Sequence, residues 1–147
     1  MTTPSQPACA SYAAMRMYSL FLSLVLGLTL TGCGNGPLGP IPGGALAGPT
    51  ARFDPATLPP DPSVIVLETN PAEPYSVKIN AVTVEGQLYI DPTAERTWYK
   101  HISNNGEVRF RFDGTKVIYP AIAVPVTDPS ITRRFEADRI VLRLDPR

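Results

Sequence analysis

Histidine and tryptophan each occur once in this sequence, cysteine only twice, and the 13 basic side chains are balanced by 13 acidic ones. Each scarcity excludes something. His101 stands alone, with no cysteine or paired carboxylates at ligand spacing beside it, so no metal site is expected. Without an excess of positive charge there is no field to steer a nucleic acid, and no nucleic-acid partner is expected either. The chain has no G-x-S-x-G nucleophile turn, no phosphate loop and no zinc motif. It also lacks an internal repeat at solenoid periods. Motifs therefore nominate no catalytic residue.

The long apolar run that is present lies near the N-terminus. From Met17 to Thr31 there is no charged side chain, and Arg16 stands just before. A positive start, an apolar stretch and small residues at its end are the parts of an export signal. The run falls short of the about 20 residues that span a bilayer. At its end Leu30, Thr31, Gly32 and Cys33 resemble the bacterial lipoprotein box, in which a lipid is attached to the cysteine sulfur and the chain is cut just ahead of it. The resemblance implies a removable signal over residues 1–32, with Met15 or Met17 as alternative starts. It implies lipidation at Cys33, with acyl chains such as palmitate, and attachment to a membrane through that anchor. An ordinary secretory signal with an incidental cysteine, or a buried core helix, would account for the run without a lipid.

Each buried methylene contributes about 0.8 kcal/mol to membrane binding, so two or three acyl chains hold a protein firmly. The expected address is the cell envelope. Gly34 stands where this class uses aspartate for inner-membrane retention. That points to the outer membrane facing the periplasm if the host has one, and otherwise to the outer face of the cell membrane. Cleavage would discard Cys9 and occupy the Cys33 sulfur, which leaves no disulfide in the mature chain.

Residues 33–63 follow as a lipidated cysteine and linker. Eight prolines and six glycines fall between 34 and 63, a composition that lacks backbone donors and apolar surface and predicts a disordered tether. Thirty flexible residues span about 30 Å on average, enough to hold a domain clear of the headgroups.

Residues 64–147 remain for one domain, near the size at which a core is marginal. The pattern is mainly β. Val64 to Thr69 (VIVLET) is continuous and β-branched, and Tyr75 to Val84 passes through Glu85-Gly86 into Gln87 to Ile90 as a hairpin. Glu107 to Phe112 (EVRFRF) alternates strictly, with Arg109 and Arg111 on the wet side. Asp113-Gly114 predicts a tight two-residue turn with positive φ, returning in a long strand from Thr115 to Thr127. Arg139 to Leu144 closes the chain. Asp91-Pro92 and Asp128-Pro129 each predict a helix start, aspartate capping and proline in the first turn. The first helix is expected to reach about Ser103 and the second about Glu136.

From Tyr75 to Arg147 this order of parts resembles the split β-barrel of the pyridoxamine-phosphate-oxidase-like superfamily, which includes flavin- and deazaflavin-dependent nitroreductase-like proteins. KINAVTVEGQLYI resembles the family hairpin, and RTWYKHISNNGEVRFRFDG its helix, asparagine turn and next strand. IYPAIAVPVTDP resembles the return strand, and RLDPR a frequent ending. The resemblance implies a small split β-barrel of five or six antiparallel strands with two short helices, after the disordered tether. It further implies a homodimer that binds FMN or deazaflavin at the subunit interface. Carried over by position, Lys78 and Asn80 lie on the strand that faces the cofactor. Arg96, Lys100 and His101 are the basic residues near the turn. Trp98 stands where a phosphate-binding lysine or arginine is expected, which departs from the family pattern.

Each of these residues has a plainer reading. His101 suits a helix end, Trp98 and Tyr99 suit packing of the helix on the barrel, and Lys78 suits a solvated strand face. The departure at Trp98 speaks against cofactor binding, while the short segment after Asp128 and the expected export favour a barrel that is non-catalytic or binds a flat phosphate-bearing ligand. A flavin- or deazaflavin-dependent oxidoreductase and an envelope protein-protein interaction module are the two alternatives.

Overall fold

The computed structural model describes residues 36–58 and 63–147; the export signal and Cys33 lie outside the described residues. Six strands carry the fold: β1 (Ser63–Thr69), β2 (Tyr75–Val84), β3 (Gln87–Ile90), β4 (Glu107–Phe112), β5 (Tyr119–Pro125) and β6 (Leu142–Pro146). They form a closed antiparallel barrel in the order β1-β2-β3-β6-β5-β4, with β4 returning to pair with β1. Helix α1 (Thr97–Asn104) joins β3 to β4, and the short α2 (Pro129–Thr132) joins β5 to β6.

Alternation explains most of this. Ile65 and Leu67 on β1, Leu88 and Ile90 on β3, Phe110 on β4 and Leu144 on β6 are all fully buried in one core. A fully buried side chain of this size contributes about 1.5–3 kcal/mol, so the inward rows are the main source of stability. Glu85 and Gly86 take positive φ, 51° and 73°, and make the β2–β3 hairpin turn. Trp98 and Ile102, one helical turn apart, seat α1 on the barrel.

Three sequence expectations are corrected beyond shifts of element ends, such as the closing strand at Leu142–Pro146 in place of Arg139 to Leu144. The first helix does not start at Asp91-Pro92. Pro92 is buried and its carbonyl accepts the Ile140 amide at 2.9 Å, so this pair ties the exit of β3 to the approach of β6. Helix α1 begins five residues later, with Arg96 as its N-cap. By contrast Asp128 does cap α2, accepting the Ser130 amide at 2.8 Å with Pro129 in the first turn, although the helix stops at Thr132.

The strand after Asp113-Gly114 begins at Tyr119, not Thr115. Only Gly114 of that turn has positive φ, 78°. The reason lies in the third correction, because Ile118 is held elsewhere: its amide donates to Pro49 and its carbonyl accepts from Ala51.

Residues 36–58, expected as part of a disordered tether, form a strap on the barrel. Gly43 exchanges two backbone hydrogen bonds with Ser76, both 2.8 Å. Leu46 packs with Val66 and Ile118 on the outside of the barrel. Phe53 enters the main core, its ring edge-on to Phe110 at 5.2 Å and to Tyr119 at 5.8 Å. Asp54-Pro55 then starts a 3-10 turn, Pro55–Thr57, by the same capping as Asp128-Pro129. Proline density lowers chain entropy but does not prevent docking through the glycine and alanine amides that remain.

Candidate functional site

A groove of about 1060 Å³ opens between β2, the start of α1 and the strap. Tyr75, Val77, Lys78, Ile79 and Asn80 of β2 form one wall, and Glu95 to Trp98 form the opposite one. Gly39 to Pro42 of the strap and Val64 of β1 shape the mouth, while Asp91, Asp113, Glu136 and Arg139 add charge. Four of the residues nominated from sequence, Lys78, Asn80, Arg96 and Trp98, therefore meet here. Trp98 is 8% exposed and belongs to the core as well as to the groove wall.

Lys100 and His101 do not line the groove. Lys100 is exposed on α1. His101 lies in the last turn, with Nδ1 3.1 Å from the Thr69 hydroxyl and its ring edge-on to Tyr75 at 5.1 Å. The Thr69 hydroxyl also lies within hydrogen-bond reach of the Tyr75 carbonyl, at 3.3 Å. His101 thereby links α1 to the β1–β2 turn.

The groove's charges are mostly spoken for. Lys78 and Asp113 pair at 2.7 Å, and the hydrogen bond from Lys78 holds the Asp113 carboxyl below its ordinary value. Arg139 pairs with Glu136 at 2.9 Å. Burial pushes the Asp91 carboxyl up, against the opposing charge of Arg139. Arg96 is in none of the ion pairs formed among the described residues. It gives α1 no side-chain cap either, so the Thr97 and Trp98 amides receive none from it, and the neighbouring Glu95 carboxylate, held below its ordinary value first by hydrogen bonds from backbone and Thr93, also feels the Arg96 charge. One phosphate group fits that corner. The four carboxylates of the groove outnumber its three cations, which favours a ligand with one phosphate over a polyphosphate.

Reasoning from sequence missed Asp91, Asp113, Glu136 and Arg139. It also placed Arg109 on a wet face, whereas Arg109 engages Glu68, which is 4% exposed under the strap. Among the described residues no three His, Cys, Asp or Glu side chains are grouped to hold a metal ion, and no helix is long and apolar enough to cross a membrane.

No family model matches the chain, and no curated protein does. Among solved structures it is similar to a Listeria innocua protein assigned provisionally as a pyridoxamine 5'-phosphate oxidase. The identity is 16% and the TM-score 0.49, over 57% of this chain and 83% of that one.

Proposed function

We propose that this is a lipid-anchored cell-envelope protein whose barrel binds a flat ligand carrying a single phosphate, without a reaction of its own. The observation that carries the reading is the meeting of Lys78, Asn80, Arg96 and Trp98 in one groove, where Arg96 and the uncapped start of α1 leave one site for an anion. Arg96 holds the phosphate there, and Tyr75, Val77 and Trp98 offer apolar surface to the flat part. FMN or a deazaflavin has this shape and charge, and when bound would supply hydride chemistry. Cys33 supplies the anchor, and a second copy of the chain is the expected partner.

Trp98 is the chain's one tryptophan and lies in the groove wall, so its fluorescence reports on the site directly. Titration of the detergent-solubilised, full-length protein with FMN is expected to quench that emission saturably, and phosphate-free riboflavin to act more weakly. If neither FMN, a deazaflavin nor any other mononucleotide changes the emission, the ligand-binding reading fails.

A further inference from the structure

Leu38, Ile41 and Val64 are the large apolar side chains left exposed among the described residues, at 76%, 62% and 39%. Leu38 and Ile41 share one tip. Each donates its amide to the other's carbonyl at 3.0 Å, and Gly39 turns the chain between them with φ of 58°. Ile41 and Val64 both lie at the groove mouth. Large apolar side chains exposed together at one tip, where scattered single ones would need no explanation, suit a contact site.

Three features say what covers it. Leu38 lies five positions after Cys33, and at most ~3.6 Å of chain per residue keeps its Cα within ~18 Å of that of the cysteine. No ionisable side chain occurs from residue 34 to residue 51, so moving the tip into a layer poor in water strips no charge of its hydration. The Leu38 and Ile41 amides and carbonyls satisfy each other, and Pro37, Pro40 and Pro42 have no N–H to strand.

We propose that the Leu38–Ile41 tip is a membrane-contact site, seated in the headgroup layer of the bilayer that holds the acylated Cys33, with the groove mouth beside the lipid surface. The inference rests on the anchor assigned above and adds a second point of attachment to it. The strap is fastened from Gly43 onward, so the free chain after the lipid is short and the barrel lies on the membrane instead of standing off it.

The test uses the full, acylated protein reconstituted in vesicles of phosphatidylethanolamine and phosphatidylglycerol. Its mature chain keeps no free thiol, so Leu38→Cys or Ile41→Cys gives a single position for an environment-sensitive fluorophore. Glu73→Cys is the control, exposed in the turn at the other end of β1 from Val64. Blue-shifted emission at 38 and 41, quenched by lipids that carry a quencher near the headgroup, with water-like emission at 73, is the expected result. Water-like emission at 38 and 41 in protein whose intact mass includes the acyl chains overturns the inference and leaves the anchor standing. A blue shift that lipid-borne quenchers do not touch means that another protein or a second copy covers the tip, and also overturns it. An intact mass without acyl chains overturns the anchor, and the inference with it.

Discussion

Arg109 grips the carboxylate of Glu68 directly across the β1–β4 pair, Nε to Oε1 at 2.8 Å and Nη2 to Oε2 at 2.7 Å. The same carboxylate accepts the Leu46 amide at 2.5 Å, so one ion pair joins two strands and the strap. Glu68→Gln preserves the shape but removes the charge that this geometry serves. The variant is expected to lose about 2 kcal/mol in urea unfolding, because Arg109 is left without its counter-ion beneath the strap. Limited proteolysis is expected to cut the strap between residues 43 and 51 sooner than in the parent. Glu68→Met with Arg109→Met should recover part of the loss, since apolar replacement of both partners leaves no unpaired charge, although the Arg109 side chain is 38% exposed. An unchanged unfolding midpoint for Glu68→Gln would show that the strap is held without this ion pair, by Leu46, Phe53 and the backbone bonds of Gly43, Pro49 and Ala51.

Gly48 passes so close to the 115–118 segment that an added Cβ would stand 2.1 Å from the Lys116 carbonyl oxygen. That oxygen cannot yield easily, because Ile118 two residues on is bonded to both Pro49 and Ala51. Gly48→Ala is expected to cost about 1–3 kcal/mol by overpacking against backbone. Gly36→Ala, whose Cβ would meet only the end of the Arg111 side chain at 3.6 Å, should leave thermal unfolding unchanged. Equal melting temperatures for the two variants would mean that the strap does not seat as described.

The strap also marks the limit of what the amino-acid order reveals. Strands β2, β3 and β4 begin and end where alternation and the Glu85-Gly86 turn place them. The unbroken run of β1 carried a further message: Val66 and Glu68 are buried on the side facing away from the core because something covers them. The cover itself was hidden. Its attachments are backbone groups of Gly43, Leu46 and Ala51 and two isolated side chains, Leu46 and Phe53, and these leave no period in the sequence. In the groove, Lys78 and Asn80 were legible as alternate residues of one strand. Asp91, Asp113, Glu136 and Arg139 come together only through barrel closure, which sequence spacing does not express. Lys100 and His101 were grouped with Arg96 by proximity in the chain, but on α1 they lie outside the groove.

Arg96 is the groove cation free to meet a phosphate, and Arg96→Ala is expected to weaken FMN binding about tenfold or more, the worth of one charge-assisted hydrogen bond. Stability should hardly change, because the side chain is exposed, caps nothing and forms no ion pair among the described residues, with only the Glu95 charge nearby. Lys100→Ala, outside the groove, should bind as the parent does. Titration followed by Trp98 emission checks both. Equal losses for the two variants would indicate general charge attraction in place of a defined corner for the anion.

Lys78 lies across the groove from Arg96 but is engaged with Asp113, their side chains 42% and 46% exposed. Asp113→Asn should release the lysine and tighten binding of a single phosphate about twofold to fivefold at neutral pH, the scale of an exposed ion pair. The linked effect on folding has a definite sign. The Asp113 carboxyl is held below its ordinary value, first by the hydrogen bond from Lys78 and then by that lysine's charge. Its contribution to stability is therefore full above the unfolded carboxylate value and is lost as pH falls through the lowered folded one. The stability difference between parent and Asp113→Asn should hold from neutral pH down to the ordinary carboxylate range and vanish below it. Paired thermal unfolding curves across that range measure the difference, and a gap that widens on acidification would mean that the pair does not form in solution. Tighter phosphate binding by Asp113→Asn, lost again in Asp113→Asn with Lys78→Ala, would assign the gain to Lys78 itself.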